Sequence, residues 1–565
     1  MPEAPEIFSF LKKVDRVIEK ERKIQGCDNP QARLILFPRV FAVGTKKKAY
    51  CSIFHDASRF NQALEPASTV VPSVCSIRDL QSARTRKRNC ITLTDRILSP
   101  GPLLSAIRGK CLVLAAGHHA VTVSFGLEAC IYVLSTSDFY AVLEGDSPGP
   151  NPDGEKAKLL RTFKLPPHLI VPGSVAGGVG HSVNIFCAFL MESHVVIVTD
   201  FSRLVRLNVT SKTAKWTADD LAVGTTWWND VLWKKFPDGP DWVLETESAY
   251  KALDEWRASE LANPATSGTI VEVITTNESA AFGGFGRHLA NDFLYSIAIH
   301  PGLSAYHVCH DEEMWKRLRG SIHQYMAQWH SKEFISRCLN DVNSVNPFAF
   351  NHVSDWNYLS LYTKVYYKKS ARTRTNLFNL YQQLGYLDPD NIVSTSTKPG
   401  MAIAELELDV GGYRDLDVHM VRLSSNEKAF TVIVAQPPEG HSWSILPDSS
   451  WTDIQGKGNT TTVGPASFRE GVQNKVHPDS DVLKPKAGRP AKLKTGKRGR
   501  PPTSKSVAKY ANKIAKKTAF SRDRKGSDIS VLGEGSEGEA EQHEVRPISS
   551  MLSPIKTRAG RKRSL

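Results

Sequence analysis

Val195-Val-Ile-Val-Thr-Asp200-Phe-Ser-Arg-Leu-Val205-Arg-Leu-Asn-Val209 is the stretch on which the fold class turns. Two β-prone apolar runs flank a polar break, so the stretch predicts a hairpin turning near Asp200–Ser202. Runs of the same kind precede it: Arg33-Leu-Ile-Leu-Phe37, Val121-Thr-Val-Ser-Phe125, Ile131-Tyr-Val-Leu134 and Val183-Asn-Ile-Phe186. The N-terminal half is therefore expected to be rich in sheet. In front of it, Ile7, Phe10, Leu11, Val14 and Ile18 recur at helical spacing and predict a helix over 4–24. Residues 76–90 and 145–160 are polar and read as loops.

Past residue 214 the pattern changes. Trp216, Trp227, Trp228, Trp233, Trp242 and Trp256 crowd into 214–262, with helical patterning after Glu245. Thr269-Ile-Val-Glu-Val-Ile274 reads as a strand. From Asp311, the residues Trp315, Leu318, Ile322, Tyr325, Met326 and Trp329 step by three and four and define one apolar helix face. Asp311, Glu312 and Glu313 suit its first turn, where the helix dipole favours anions. A further helix is expected over 354–385, then strands at Ile403–Leu408, Val418–Leu423 and Ala429–Val434, the last ended by Pro437-Pro438. The expected class is α+β: a β-rich half with an N-terminal helix (1–213), a helical region with closing strands (214–440), a linker (441–480) and a disordered basic tail (481–565).

Charge is distributed unevenly between these parts. The 565-residue chain carries a formal net charge of +14. Residues 481–565 hold 22 Lys and Arg against 8 Asp and Glu, so the whole excess lies in the tail. An arm of this kind points to a polyanion. The tail has few large apolar residues, which argues against a membrane partner and against a packed core. Nine cysteines, none of them in a C-x-x-C pair, read as buried free thiols in a reducing compartment. MPEAPEIFSFLKKVD lacks the apolar centre of a signal peptide, and no transmembrane helix is expected.

Two Gly-Arg-Pro cores stand in the tail, Gly488-Arg489-Pro490 and Gly499-Arg500-Pro501, the second led by Arg498. Lys486, Lys492, Lys494 and Lys497 flank them. An A·T-rich minor groove is narrow and strongly negative, which attracts inserted arginine. Glycine lets the backbone lie on the groove floor, and proline keeps the chain extended. Guanine's exocyclic amine would obstruct that floor. Flanking lysines meet phosphates. These roughly 20 residues resemble the AT-hook of high-mobility-group A-type chromatin proteins. The second copy matches closely, and the first has Ala487 where the leading arginine would stand. The resemblance implies AT-rich double-stranded DNA as partner, a chromatin setting and nuclear localisation. Ser553-Pro and Ser536-Glu-Gly-Glu suit proline-directed and acid-directed kinases, whose phosphate would lower the tail's positive charge.

The body offers weaker candidates. His307, His310 and Glu312 concentrate metal-capable side chains, and His310-x-Glu312 matches half of an iron-binding facial triad. The favoured reading is a helix N-terminus with two ordinary histidines. His352, His419 and His441 are the available third ligands. Gly173–Gly180 and Gly283-Gly-Phe-Gly286 are glycine-rich but lack the order of a phosphate-binding loop. Arg84–Arg88 and Lys368–Arg374 are basic patches that read first as solvated loops. The favoured function is AT-rich DNA binding in chromatin, with the body as a protein-interaction scaffold. The alternative is a chromatin or mobile-element enzyme, such as a metal-dependent dioxygenase or nuclease, delivered by the tail. No reaction and no cofactor is specified by the sequence.

Overall fold

A computed structural model describes residues 2–37, 52–65, 93, 96–126, 129–148, 161–169, 182–200, 203–264, 267–339, 346–348, 354, 357–387, 412–423, 428–434, 437 and 443–446. The chain divides into two units, Met1–Leu483 and Lys484–Leu565, the second wholly outside the described residues. The class is α+β.

Helix α1 (Ala4–Gln25) opens the chain, with Pro5 in its first turn and Gly26 in the left-handed region at its end. It buries Ile7, Phe10, Val14 and Ile18, the stripe that the spacing marks. Behind it stand two five-stranded sheets. The first orders β1 (Gln31–Leu36), β3 (Gly101–Pro102), β7 (Ala129–Ser135), β11 (Ile185–Leu190) and β12 (His194–Asp200) as β3-β1-β11-β12-β7. The second orders β2 (Ser52–Arg59), β4 (Leu104–Arg108), β5 (Cys111–Ala116), β6 (His119–Ser124) and β13 (Arg206–Lys212) as β2-β13-β6-β5-β4. Helix α2 (Thr136–Glu144) follows β7, and β8 (Asp146–Pro148), β9 (Arg161–Lys164) and β10 (Ser182–Val183) form a small third sheet.

Val195–Val209 does not form a hairpin. Its first half, β12, pairs with β11 and β7, and its second, β13, pairs with β6 and, in parallel, with β2. Asp200 redirects the chain. Its Oδ2 accepts the backbone N–H groups of Leu204 (2.6 Å) and Val205 (2.7 Å), turning the main chain away from β12. Side chains alternate across a strand, and β5 uses both faces: Leu112, Leu114 and Ala116 enter the main core, while Cys111, Val113 and Ala115 meet Trp216, Trp228 and Trp233. Trp216, Trp228 and Trp233 thus cover the outer face of the second sheet, while Trp242 and Trp256 join the main core.

The longer remaining helices among the described residues are α3 (Thr246–Ala262), α4 (Ile270–Thr276), α5 (Arg287–Ser296), α6 (Ala305–His310), α7 (Glu312–Ala327) and α8 (Thr375–Gln383). The strand expected at 269–274 is instead α4. Ile270, Val271 and Ile274 are buried together, and Thr275 Oγ1 donates to Val271 O at 2.6 Å. Packing overrides β-propensity here, and only Thr269 keeps a bridge, to Ser304. Helix α7 begins as expected, with the Asp311 side chain accepting from Met314 N at 2.8 Å. The single helix expected over 354–385 is also replaced. A π-helical turn (Tyr358–Tyr362), strand β14 (Ser370–Arg374) and α8 divide the span. Asp292 accepts from the backbone N–H groups of Lys364, Val365 and Tyr366, each at 2.8 Å, so those donors are withdrawn from a helix. Strand β15 (Tyr413–Asp417) pairs with β14. Strand β16 (His419–Arg422) pairs with β17 (Phe430–Val432) and β18 (Ser444–Ile445). The strand expected at 403–408 lies outside the described residues.

Candidate functional site

Lys486–Pro501, Arg84–Arg88 and Gly173–Gly180 also lie outside the described residues, as do His352 and His441. His307 and His310 are exposed on the last turn of α6, and His310 stacks on Tyr306 with ring centres 5.5 Å apart. Glu312 pairs with the Arg257 guanidinium, which also donates to Cys309 O at 3.0 Å and covers the Trp315 ring. That arrangement braces α3 against α6 and α7. Among the described residues no group of three or more His, Cys, Asp or Glu is placed to hold a metal. Among the described thiols, Cys111, Cys130, Cys187 and Cys309 are buried and free, as expected, Cys338 is buried, and Cys27 is exposed. Lys369, Arg372 and Arg374 are exposed at the start of β14 or on it, while Lys368 Nζ turns back to Thr363 O. Burial pulls the Lys368 ammonium down to about 8.

The described residues concentrate polar chemistry elsewhere, at a seam of three turns. Gly109 turns between β4 and β5 with φ +55°, and a Cβ there would stand 2.3 Å from Asp238 Oδ2. Asp238 Oδ2 accepts from Lys110 N and Gly284 N, both at 2.8 Å. Lys110 Nζ lies 3.1 Å from Asp238 Oδ1 and donates to Phe285 O at 2.8 Å. Arg108 forms a two-pronged pair with Glu245, at 2.6 and 2.9 Å. The Gly283–Gly286 turn opens α5, and the carboxylate of Glu3 occupies that helix N-terminus. Glu3 Oε1 accepts from His288 N (3.0 Å), and Oε2 accepts from Leu289 N (2.8 Å). Ala4 N donates to Gly284 O at 3.0 Å, and Glu6 Oε2 accepts from Glu3 N at 2.9 Å. The glycine stretch is thus an anion-binding helix start, filled by the chain's own carboxylate.

Charges continue inward from there. His288 Nε2 pairs with Asp292 Oδ2 at 3.1 Å, and the imidazole stacks on Tyr366 at 5.1 Å. Burial pushes the Glu6 carboxyl up, and the Glu3 charge adds to that. For His288, burial works against the charged form, but Asp292 outweighs it and raises the imidazole to about 9. Burial likewise opposes ionisation of Asp292, and the His288 hydrogen bond overcomes it, leaving the carboxyl below the usual range. The Glu3 carboxylate on the first turn of α5 and the Lys110 amine on Phe285 O, just before that helix, are group types used in acid–base and imine chemistry. The sequence reading passes over both. The signal available was the Gly-Gly-Phe-Gly run before an amphipathic helix.

No family model and no curated protein matches the chain. Among solved structures, it is similar to the formamidopyrimidine DNA glycosylase of Lactococcus lactis bound non-covalently to DNA containing an AP site. Identity there is 12%, over 40% of this chain and 62% of that one, with a TM-score of 0.24. The inhibited Lactococcus enzyme on DNA containing N7-benzyl-Fapy-dG gives 12% identity, 66% and 94% coverage, and a TM-score of 0.33. MutM with DNA containing carbocyclic 8-oxo-G gives 12%, 60% and 82%, and 0.30. The chain spans less than two thirds of the first of these structures, and TM-scores of this size do not define a shared fold.

Proposed function

We propose that the protein binds AT-rich double-stranded DNA in nuclear chromatin, through the two Gly-Arg-Pro cores of its tail, and that the body is carried there as an interaction module. One observation carries the reading: both cores lie within the segment that holds the chain's whole positive excess. Arg489, Arg498 and Arg500 enter minor grooves, while Lys486, Lys492, Lys494 and Lys497 meet phosphates. A small ligand that fills A·T minor grooves should displace the full-length protein from an A·T-rich duplex. Retention at saturating ligand would contradict minor-groove binding. Nuclear accumulation should follow the tail, so a fusion of residues 1–480 that still concentrates in nuclei would contradict the localisation.

A second reading is favoured by two charged groups of the seam, Lys110, which donates to Phe285 O in the turn before α5, and Glu3, which accepts from the first turn of that helix. An amine that forms an imine at the sugar aldehyde carbon, and a carboxylate that moves the proton, are parts that a base-removing enzyme can use when an amine is its nucleophile. Such enzymes take their base out of the stack, and the tail would deliver the body to DNA. The seam carries this reading, and the solved glycosylase complexes do not. Borohydride trapping of the full-length protein on a duplex with one abasic site tests it. A covalent adduct that falls in Glu3→Gln supports it, and absence of any adduct with the unaltered protein overturns it.

A further inference from the structure

Along β2 the outer face of the second sheet is bordered by cations that neither proposed function uses. Lys235 Nζ lies 3.9 Å from the ring centre of Phe54, and the guanidinium carbons of Arg206 and Arg59 each lie 4.9 Å from the ring centres of Phe236 and Trp227 respectively. Arg59, Arg206, Lys234 and Lys235 are exposed, and among the described residues none of the four is ion-paired. We propose that these four residues form a track for the sugar–phosphate backbone of double-stranded DNA, a sequence-independent contact made by the body in addition to that of the tail.

The sheet sets the spacing of the track. Strands β13 and β2 run parallel, with Arg206 opposite Ser52, Asn208 opposite Phe54 and Lys212 opposite Arg59. Ser52 to Arg59 covers roughly 23 Å at about 3.3 Å per residue, so Arg206 and Arg59 mark the two ends. Lys234 and Lys235 occupy the turn between Trp233 and Phe236, both buried in the outer cluster. Phe54 packs against that cluster and meets Phe236 edge-on at 6.3 Å, so Lys235, lying on Phe54, falls between the two arginines.

The rings hold these charges in place. A cation over an aromatic face is attracted by the ring quadrupole, so three of the four charges are positioned in advance and lose less freedom when a polyanion arrives. Arg206 is fixed further by donating to Ser124 Oγ at 3.0 Å. The same contacts select the occupant. An unpaired strand is held by bases that stack on open aromatic faces, and here a cation already lies over each of Phe54, Phe236 and Trp227. A duplex keeps its bases inside and presents phosphates, about one negative charge per 1.7 Å of axis. The acidic residues on the same segments are Asp56, whose carboxylate accepts from Ser58 N at 3.0 Å and Ser58 Oγ at 2.7 Å, and Asp230, exposed on the turn before Trp233. Lys212 is balanced by Asp220 at 2.6 Å. The four cations outnumber the two remaining carboxylates.

The track does not depend on the tail's arginines, and the test separates the two. The affinity of the full-length protein for a G·C duplex, which offers the tail no A·T tract, is measured against salt. Each phosphate contact adds about 0.9 to the slope of log affinity on log salt. Arg59→Gln, Arg206→Gln, Lys234→Gln and Lys235→Gln together should reduce that slope by about 3 to 4, and the preference for an A·T duplex over the G·C one should stay. Lys234→Gln alone leaves all three cation–ring contacts in place and should reduce the slope by about 0.9. Arg59→Lys with Arg206→Lys keeps the charges and should keep the slope. An unchanged slope in the folded four-fold variant, or in Lys234→Gln where the four-fold variant does not fold, would overturn the track. So would a reduction seen only on an unpaired strand of the same length.

Discussion

His288 Nε2 and Asp292 Oδ2 are 3.1 Å apart, one turn along α5 and away from solvent. The same carboxylate holds the 364–366 backbone, so it joins α5 to the chain that runs into β14. Asp292→Asn leaves the imidazolium uncompensated and should cost about 3–5 kcal/mol, read from urea unfolding.

The pair also sets a pH dependence. The His288 imidazole is raised to about 9, so its stabilisation is complete below its ordinary 6.5 and is lost as pH rises through about 9. Asp292 lies below its ordinary 3.8, so its contribution is present above that value and is lost as pH falls through the lower folded value. Stability from this pair should therefore peak between 3.8 and 6.5. Urea midpoints of the unaltered protein should fall from 6.5 towards 9, and Asp292→Asn should flatten that slope. An identical slope in both proteins would contradict the assignment.

Gly286→Ala tests the seam. A Cβ there would stand 2.3 Å from Glu3 Oε1, so the carboxylate must leave the α5 N-terminus or the turn must shift. The expected loss is about 1–3 kcal/mol. Glu3→Gln with Gly286→Ala should lose less than the sum of the single losses, because both act on one contact. Full additivity would mean that the two residues do not meet.

Lys212 lies within 4.8 Å of the Trp216 ring centre and 5.2 Å of that of Trp227, with Asp220 at 2.6 Å. Lys212→Met keeps the length and removes the charge. It should cost about 2 kcal/mol of stability and change tryptophan emission. An unaltered unfolding midpoint would show that the aromatic layer is held by packing alone.

Local signals carried the helices that pack one continuous stripe. Trp315, Leu318, Ile322 and Met326 are buried on one face of α7, and their spacing states that face directly. The N-terminal helix is legible for the same reason. Strand partners are not, because pairing joins residues far apart in sequence: β13 lies against β2 and β6, not against its neighbour β12. The deciding residue there, Asp200, acts through its side chain on the next turn, which no periodicity reveals. The seam was hidden likewise. Glu3 and Leu289 are 286 positions apart, and a lone carboxylate near a chain start carries no local mark.

Arg489 and Arg500 are 11 residues apart, a reach of up to about 36 Å for extended chain, close to one turn of B-DNA. With one core seated, the other is held at high local concentration. Duplexes carrying two short A·T tracts one turn apart should bind more tightly than the same tracts three turns apart, and added salt should narrow the difference. Equal affinity at both spacings would mean that the cores act independently.

The most direct measurement is the affinity of the full-length protein for two duplexes of equal length, one carrying A·T tracts and one carrying G·C in their place, at fixed salt. The unaltered protein should prefer the A·T duplex. Arg489→Ala with Arg500→Ala should remove that preference, at about 1–3 kcal/mol per arginine, and leave weak, salt-sensitive binding to both, with Arg500→Ala alone doing more than Arg489→Ala alone. Undiminished discrimination in the double variant would contradict minor-groove reading by the tail.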